Sequence, residues 1–493
     1  MASTRVHITA PIALSRVGLP YGCHVLKQAE CAQGRQAALD PAELFFSITD
    51  SRGLIEVGNA VFSRVSGYAP TELAGKPHNI VRHPDMPAGL FRLMWDRLGA
   101  GRPTGTFVRN LAADGTAYWV FATMSPVAEG YLSIRLAPRS ACLELAEQAY
   151  QQARAAEERA RQLGIGRRDI ATIGQSEIEK SLHHSGFGSF DEFVFDALAA
   201  ELAARDDLVR TAYLRPDATG AIGELLAGAV AVDATLGDAV ARLADLRELC
   251  DELGTAAAQV ADITRRIDRS VVAAREASEP VAAAHPVLAN VARGMGELMS
   301  EAVEVLHELR RELDAVRADV RDLRFRICLA SLHNSMVAAF AAEVADGTAP
   351  PRSLRAVPVL CEATAAGLAE LARRESRVNA EFAAIAAVTV HAREALDRFR
   401  RFLGQWRILV LRYRAAAMIG DRLDPIDAEP ALGWEWMNLL HSLGRTFAAG
   451  AVTLDTDRLR TQLAAVERAS AAVEFEDDPA AAGNGDSGPS SRE

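Results

Sequence analysis

SGYAPTELAGKPHNIVRHPDMP, Ser66–Pro87, is the stretch on which the fold of this chain turns. Its loop, Pro77–Pro87, is bounded by prolines and carries Arg82, His83 and Asp85 within four residues: a cation, a titratable ring and a carboxylate. Residues 59–75 and 85–99 read as helices, separated by the Pro77–Pro87 loop. Upstream, Phe45–Thr49 alternates like a strand and ends at Asp50-Ser51-Arg52-Gly53, and Leu54–Gly58 makes a second strand of a hairpin. Downstream, Phe107–Asn110, Tyr118–Met124 and Tyr131–Leu136 read as three more strands, with Asp114-Gly115 as a tight turn. The order ββααβββ predicts a small α+β domain on one antiparallel sheet, residues 41–138.

With its neighbours, the stretch resembles the PAS domain of bacterial aerotaxis receptors, a family that holds FAD and reports redox state. The match continues through DGTAYWV, Asp114–Val120, and YLSIR, Tyr131–Arg135. The resemblance implies a PAS fold and FAD as cofactor. It also implies flavin retention by Arg82, His83 and Asp85, polar positions near the cofactor at Asn59 and Asn110, and a helix tryptophan at Trp95. Read from the residues alone, Arg82 offers a guanidinium fork suited to a phosphate. Asp85 either joins this group or caps the helix that follows, and Trp95 serves equally as core. One position departs: Thr104 stands where the family commonly has tryptophan. A haem site on His78 or His83 is the weaker reading of the same loop.

The rest of the chain reads as helical. Ten of twenty prolines precede residue 140, and the long proline-free gaps beyond it are rich in Ala, Leu, Arg and Glu. Ala302, Leu309, Val316 and Leu323 recur every seven residues, each followed four later by Leu306, Leu313, Val320 and Ile327. A second series runs Leu371, Val378, Ile385, Ala392, Phe399, Trp406 and Tyr413, interrupted near Glu375 and Thr389. Asp346–Pro351 between them is a helix stop, so the two stripes should pack antiparallel in a hairpin. Pairing between two chains would complete a bundle, and a homodimer is expected. Ile327–Val344 resembles the cytoplasmic hairpin tip of chemotaxis receptors, with Asn334 at the matching asparagine. Ala338 and Ala341 replace charged family positions. The resemblance implies chemotaxis-type signalling partners.

The expected organisation is an extension at 1–40, the PAS domain at 41–138, a helical region at 140–285, the hairpin at 286–473 and an acidic, disordered tail at 474–493. The formal charge of −11 argues against general nucleic-acid binding. The arginines at 398–414 read as a solvated face and His183-His184 as a packing turn. Six scattered cysteines suit reduced thiols, and Cys23, His24 and Cys31 fall short of a metal pattern. The apolar run Leu225–Val232 is too short to span a bilayer, and the first 30 residues have no signal-peptide core, so a cytoplasmic protein without a membrane span is expected. No phosphate loop and no hydrolase or metalloprotease motif occurs, so an enzyme is not expected. Two functions remain: a flavin redox or oxygen sensor with a coiled-coil output, or a cofactor-free PAS docking scaffold with a helical rod.

Overall fold

The computed structural model describes residues 39–209, 211–279, 282–419 and 454–473, with a few positions between 438 and 445. Cys23, His24, Cys31, most of the N-terminal extension and the acidic tail lie outside the described residues. The described chain divides into two compact units. One holds residues up to Ala229, Leu332–Ala363 and the end of the last helix from Glu467; the other holds Val230–Ser331 and Thr364–Val466.

The first unit is built on five strands: β1 (Phe45–Asp50), β2 (Ile55–Gly58), β3 (Thr104–Leu111), β4 (Ala117–Val127) and β5 (Gly130–Leu136). All neighbours are antiparallel, in the order β2-β1-β5-β4-β3. Between β2 and β3 run α1 (Ala60–Ser66), α2 (Pro70–Leu73), a 3-10 turn at His78–Val81 and α3 (Ala88–Gly99). The ββααβββ order therefore stands, with two refinements. The helical stretch 59–75 breaks at Gly67, whose φ of 72° is the left-handed geometry that ends α1. Strand β3 starts three residues earlier than Phe107, because its pairing with β4 begins at Thr104↔Met124.

Alternation along the strands gives the sheet two unlike faces. The outer face carries Phe46, Ser125, Phe107 and Phe121, and helices of the same unit cover it. Phe193 of α6 (Phe190–Val209) stands 6.1 Å from Phe107, and Phe340 of α8 (Pro286–Ala345) lies edge-on to Phe46 at 5.2 Å. His333 Nε2 lies 3.3 Å from Ser125 Oγ, and Asn334 Nδ2 donates to Ala229 O at 2.9 Å. Ile327–Val344 thus lies inside α8, short of the turn at 346–350, with Met336, Val337, Phe340 and Ala341 buried. From His333 to Phe340 the stretch that resembles the receptor tip packs on the sheet. Helices α4 (Cys142–Gln162) and α5 (Arg167–His184) form a hairpin against α3.

In the second unit, α7 (Gly220–Ser278) from Val230, α8 up to Ser331 and α9 (Val357–Arg412) from Thr364 pack side by side. Glu301 pairs with Arg398, and Asp319 with Arg374, which is the antiparallel sense. Leu306, Leu309, Leu313, Val316, Val320 and Leu323 are wholly buried in the single chain, as are Val378, Ile385 and Trp406 of the second series, and Trp406 Nε1 donates to Ser278 Oγ of α7 at 3.0 Å. The heptad seam is closed within one chain and so gives no argument for a dimer. Its two interruptions have local partners: Thr389 Oγ1 donates to Ala386 O, and Glu375 accepts from Leu454 N just before α11 (Thr456–Ala471). The short α10 (Ala416–Ile419) follows α9.

Two stretches, Gly220–Gly237 and Val303–Ala345, are long and apolar enough to cross a membrane by length and composition. Glu224 and Asp233 divide the first. The second is largely buried inside the protein.

Candidate functional site

The inner face of the sheet is the unusual one. Ser47 and Thr49 on β1, Ser133 and Arg135 on β5, Thr104, Thr106 and Asn110 on β3 and Tyr118 on β4 are all buried. Apolar side chains are the ordinary choice for such a surface, since a buried polar group is costly unless it is hydrogen-bonded. Some of these groups have partners. Arg135 Nη1 donates to Ser47 Oγ at 3.0 Å, His78 Nε2 stands 3.3 Å from the same hydroxyl, and Thr106 Oγ1 meets Tyr150 Oη of α4 at 2.8 Å.

Others do not. Thr104 Oγ1, Asn110 Nδ2 and Tyr118 Oη are buried with no partner of good geometry. Asn110 and Tyr118 are a cross-strand pair close enough for Asn110 to influence the phenol's ionisation. The two side chains are not aligned for a hydrogen bond. Burial pushes the Tyr118 phenol up to about 12, so it is neutral and can donate. Arg135 carries a positive charge into the same face. Burial pulls it down to about 10, its guanidinium lies 4.9 Å from the Phe45 ring, and among the described residues no carboxylate pairs with it. His78, stacked on Phe62 at 5.4 Å, is held well below the usual histidine range by burial and by Arg135. It is therefore a neutral imidazole.

The six residues singled out from the sequence fall into different places. Asn110 belongs to the inner face. Asn59 caps α1: its Oδ1 accepts from Phe46 N and Phe62 N, both at 3.1 Å, and its Nδ2 donates to Leu44 O at 2.8 Å. Trp95 lies at the rim, 43% exposed and edge-on to Tyr131 at 5.3 Å. Arg82 reaches toward α3, with its guanidinium 3.9 Å over the Phe91 ring and Nη2 donating to Met86 O at 2.8 Å. His83 Nδ1 accepts from Asp85 N at 3.1 Å, while the His83 amide donates to Arg109 O. Burial and then Arg109 lower its pKa, with Asp85 opposing. The Asp85 side chain is 66% exposed and stands 4.0 Å from Arg109 Nη1.

Asp85 does not cap α3. The residue before the helix is Pro87, and the first free amides of α3 are taken from far along the chain: Ala88 N and Gly89 N donate to Glu157 Oε2 and Oε1 at 3.0 and 2.9 Å.

Arg135, Tyr118 and Ser47 were not among the residues expected from the sequence, and His78 entered only as an alternative haem ligand. One signal was available: in Tyr131-Leu132-Ser133-Ile134-Arg135 the polar residues occupy every second position, which puts an arginine on a buried face.

The strand order of residues 45–136 is that of a PAS fold. Residues 56–131 match the family described as PAS fold. Over 94 residues the chain is 45% identical to the aerotaxis receptor of Escherichia coli (strain K12), covering 18% of this chain and 19% of that receptor. The chain thus spans about a fifth of the length of that curated relative. Among solved structures it is similar to the PAS domain of a Colwellia psychrerythraea protein, at 21% identity over 20% of this chain and 86% of that one, with a TM-score of 0.18. The Rhodobacter sphaeroides LOV protein matches at 20% identity over 30% of this chain and 90% of that one, with a TM-score of 0.19.

Proposed function

We propose that this chain is a sensory signal-transduction protein whose PAS domain binds a flavin, FAD by the family resemblance, against the inner face of its sheet. The observation that carries the reading is the set of buried polar atoms there without partners: Thr104 Oγ1, Asn110 Nδ2 and Tyr118 Oη, beside the uncompensated Arg135. A heteroaromatic ring bearing carbonyls and ring nitrogens would satisfy them, whereas a purely apolar ligand would not. A bound flavin would supply reversible electron transfer.

The chain's own groups would bind, orient and respond. Asn110 and Tyr118 present donors, neutral His78 fixes the Ser47 hydroxyl, and Arg135 supplies a fixed charge that favours an electron-rich ring. Since β5 leads directly to α4, a shift of Arg135 has a short path to the helices. Among the described residues the outer face of the sheet is occupied by α6 and α8 of the same chain, which leaves less of it for the cofactor-free docking role. Thr104 speaks for that second reading, because it removes an aromatic surface from the site.

The absorption spectrum of purified protein tests the proposal, with Arg135→Met and His83→Ala alongside. Bands at roughly 370 and 450 nm, where flavins absorb, are expected in the parent chain and weakened in both variants. A colourless protein after incubation with FAD would overturn the flavin reading.

A further inference from the structure

The loop that carries Arg82, His83 and Asp85 runs directly into α3, and the first turn of α3 is gripped by Glu157. That side chain is fully buried, 68 residues away in sequence from the amide it holds most closely. A carboxylate at a helix N-terminus meets both free N–H groups and the positive end of the dipole. The contact also has a third member. A Cβ on Gly89 would strike the backbone of Gly174 and Gln175, and a Cβ on Gly174 would strike the Glu157 carboxylate. Helices α3, α4 and α5 therefore meet at one point, where two glycines admit one carboxylate. Along the same face Arg92 Nη1 donates to Thr172 Oγ1 at 2.7 Å. The charge of Glu157 also acts on Arg82, whose guanidinium is tied to Met86 O two residues before the gripped amides.

We propose that Glu157 is a positioning residue that couples the Arg82–Met86 loop to the α4–α5 hairpin, so that a displacement of the loop is passed to the helices through this carboxylate. The inference deepens the sensor reading, on which it rests for the origin of the signal, but the joint itself is a property of the protein alone. A carboxylate held by two backbone amides and confined by a glycine has no slack, and close-packed contacts transmit shifts rather than absorb them. The rim contacts Arg92–Thr172 and Arg92–Asp96 are partly exposed and would follow.

Hydrogen–deuterium exchange on the full chain tests it in a two-by-two design with Arg82→Ala and Glu157→Gln. The glutamine keeps one acceptor oxygen and sets an NH2 group against the other amide. Arg82→Ala is expected to speed exchange at least threefold in 142–184 when Glu157 is present, and to leave these helices unchanged in the Glu157→Gln background. Equal effects in both backgrounds, or no effect of Arg82→Ala on 142–184 while 82–91 speeds up, would overturn the coupling. Gly174→Ala, which displaces the carboxylate without changing any charge, should reproduce the glutamine result; if it leaves the Arg82→Ala effect intact, the coupling is also overturned. Dithionite-reduced samples of the parent chain and of Glu157→Gln add the second readout. Absent flavin bands refute the sensor reading and leave the exchange cycle to decide the joint. Flavin bands with no Glu157-dependent change on reduction refute the joint as a signal path.

Discussion

A guanidinium buried without a carboxylate lowers the stability of the fold that contains it, since burial of an unpaired charge is opposed by its hydration. Arg135 has a hydroxyl and a ring for company, and its pKa falls to about 10 as a consequence. Replacing it by methionine keeps most of the volume and removes the charge. Arg135→Met is therefore expected to raise the stability of the flavin-free protein by about 1–3 kcal/mol, read by urea denaturation, while weakening flavin retention. A gain in stability with unchanged retention would mean that Arg135 does not face the ligand. Loss of both would mean that it is a structural residue of the sheet. The burial of Arg135 does not follow from the helix-rich composition; it follows from the period of two in β5, which is legible in the residues.

At the scale of elements, α8 shows what a periodic pattern settles and what it leaves open. Four heptads from Ala302 specify a buried stripe, and from Leu306 to Leu323 the stripe is wholly buried. The pattern does not say which helix covers it, because α9 of the same chain and α8 of a second chain offer the same apolar face. Here helices of the same chain bury it, with α9 alongside, as the pairs Arg374–Asp319 and Arg398–Glu301 record. Leu313→Ala should then cost about 2–5 kcal/mol in the unfolding of the helical unit and leave the solution mass by light scattering unchanged. A halved mass with little loss of stability would return the seam to an interface between chains. Local rules also reached the five strands, since each has its own alternation and turn residues. They could not reach the caps supplied from far along the chain. Glu157 serves α3, and Glu201 on α6 accepts from Arg139 N, Ser140 N and Ser140 Oγ just before α4. Both contacts join residues more than 60 positions apart, and no short-range pattern marks them. The inner site was half legible for the same reason: the loop motif is contiguous, whereas Ser47, His78, Asn110, Tyr118 and Arg135 meet only through the sheet.

Across the whole molecule the two units answer acid in opposite directions at two particular groups. In the first unit, burial pulls His333 down to about 4 where α8 meets the sheet beside Ser125. Between about 4 and the ordinary histidine value of ~6.5 the unfolded chain binds the proton and the folded unit does not. The contribution of His333 is present above that ordinary value and is lost as the pH falls toward 4, by about 3 kcal/mol for a shift of this size. In the second unit, burial and the neighbouring Asp319 push Glu381 up to about 7, with Glu312 adding to the rise and Arg377 opposing it. There the folded state holds the extra proton, so the contribution is present below the ordinary glutamate value and is lost as the pH rises through 7. Asp322, Glu370 and Arg326 complete the charged surroundings through Arg374, which also pairs with Asp319. Other carboxylates titrate over the same range, so the comparison has to be made against variants. Calorimetry of the full chain at pH 7 and pH 5 should show His333→Gln blunting the acid loss of one transition and leaving the other in place. Glu381→Gln should do the converse, removing the gain that the second transition makes on acidification. If either substitution moves both transitions together, the two units unfold as one, and the pH response belongs to the molecule instead of to its parts.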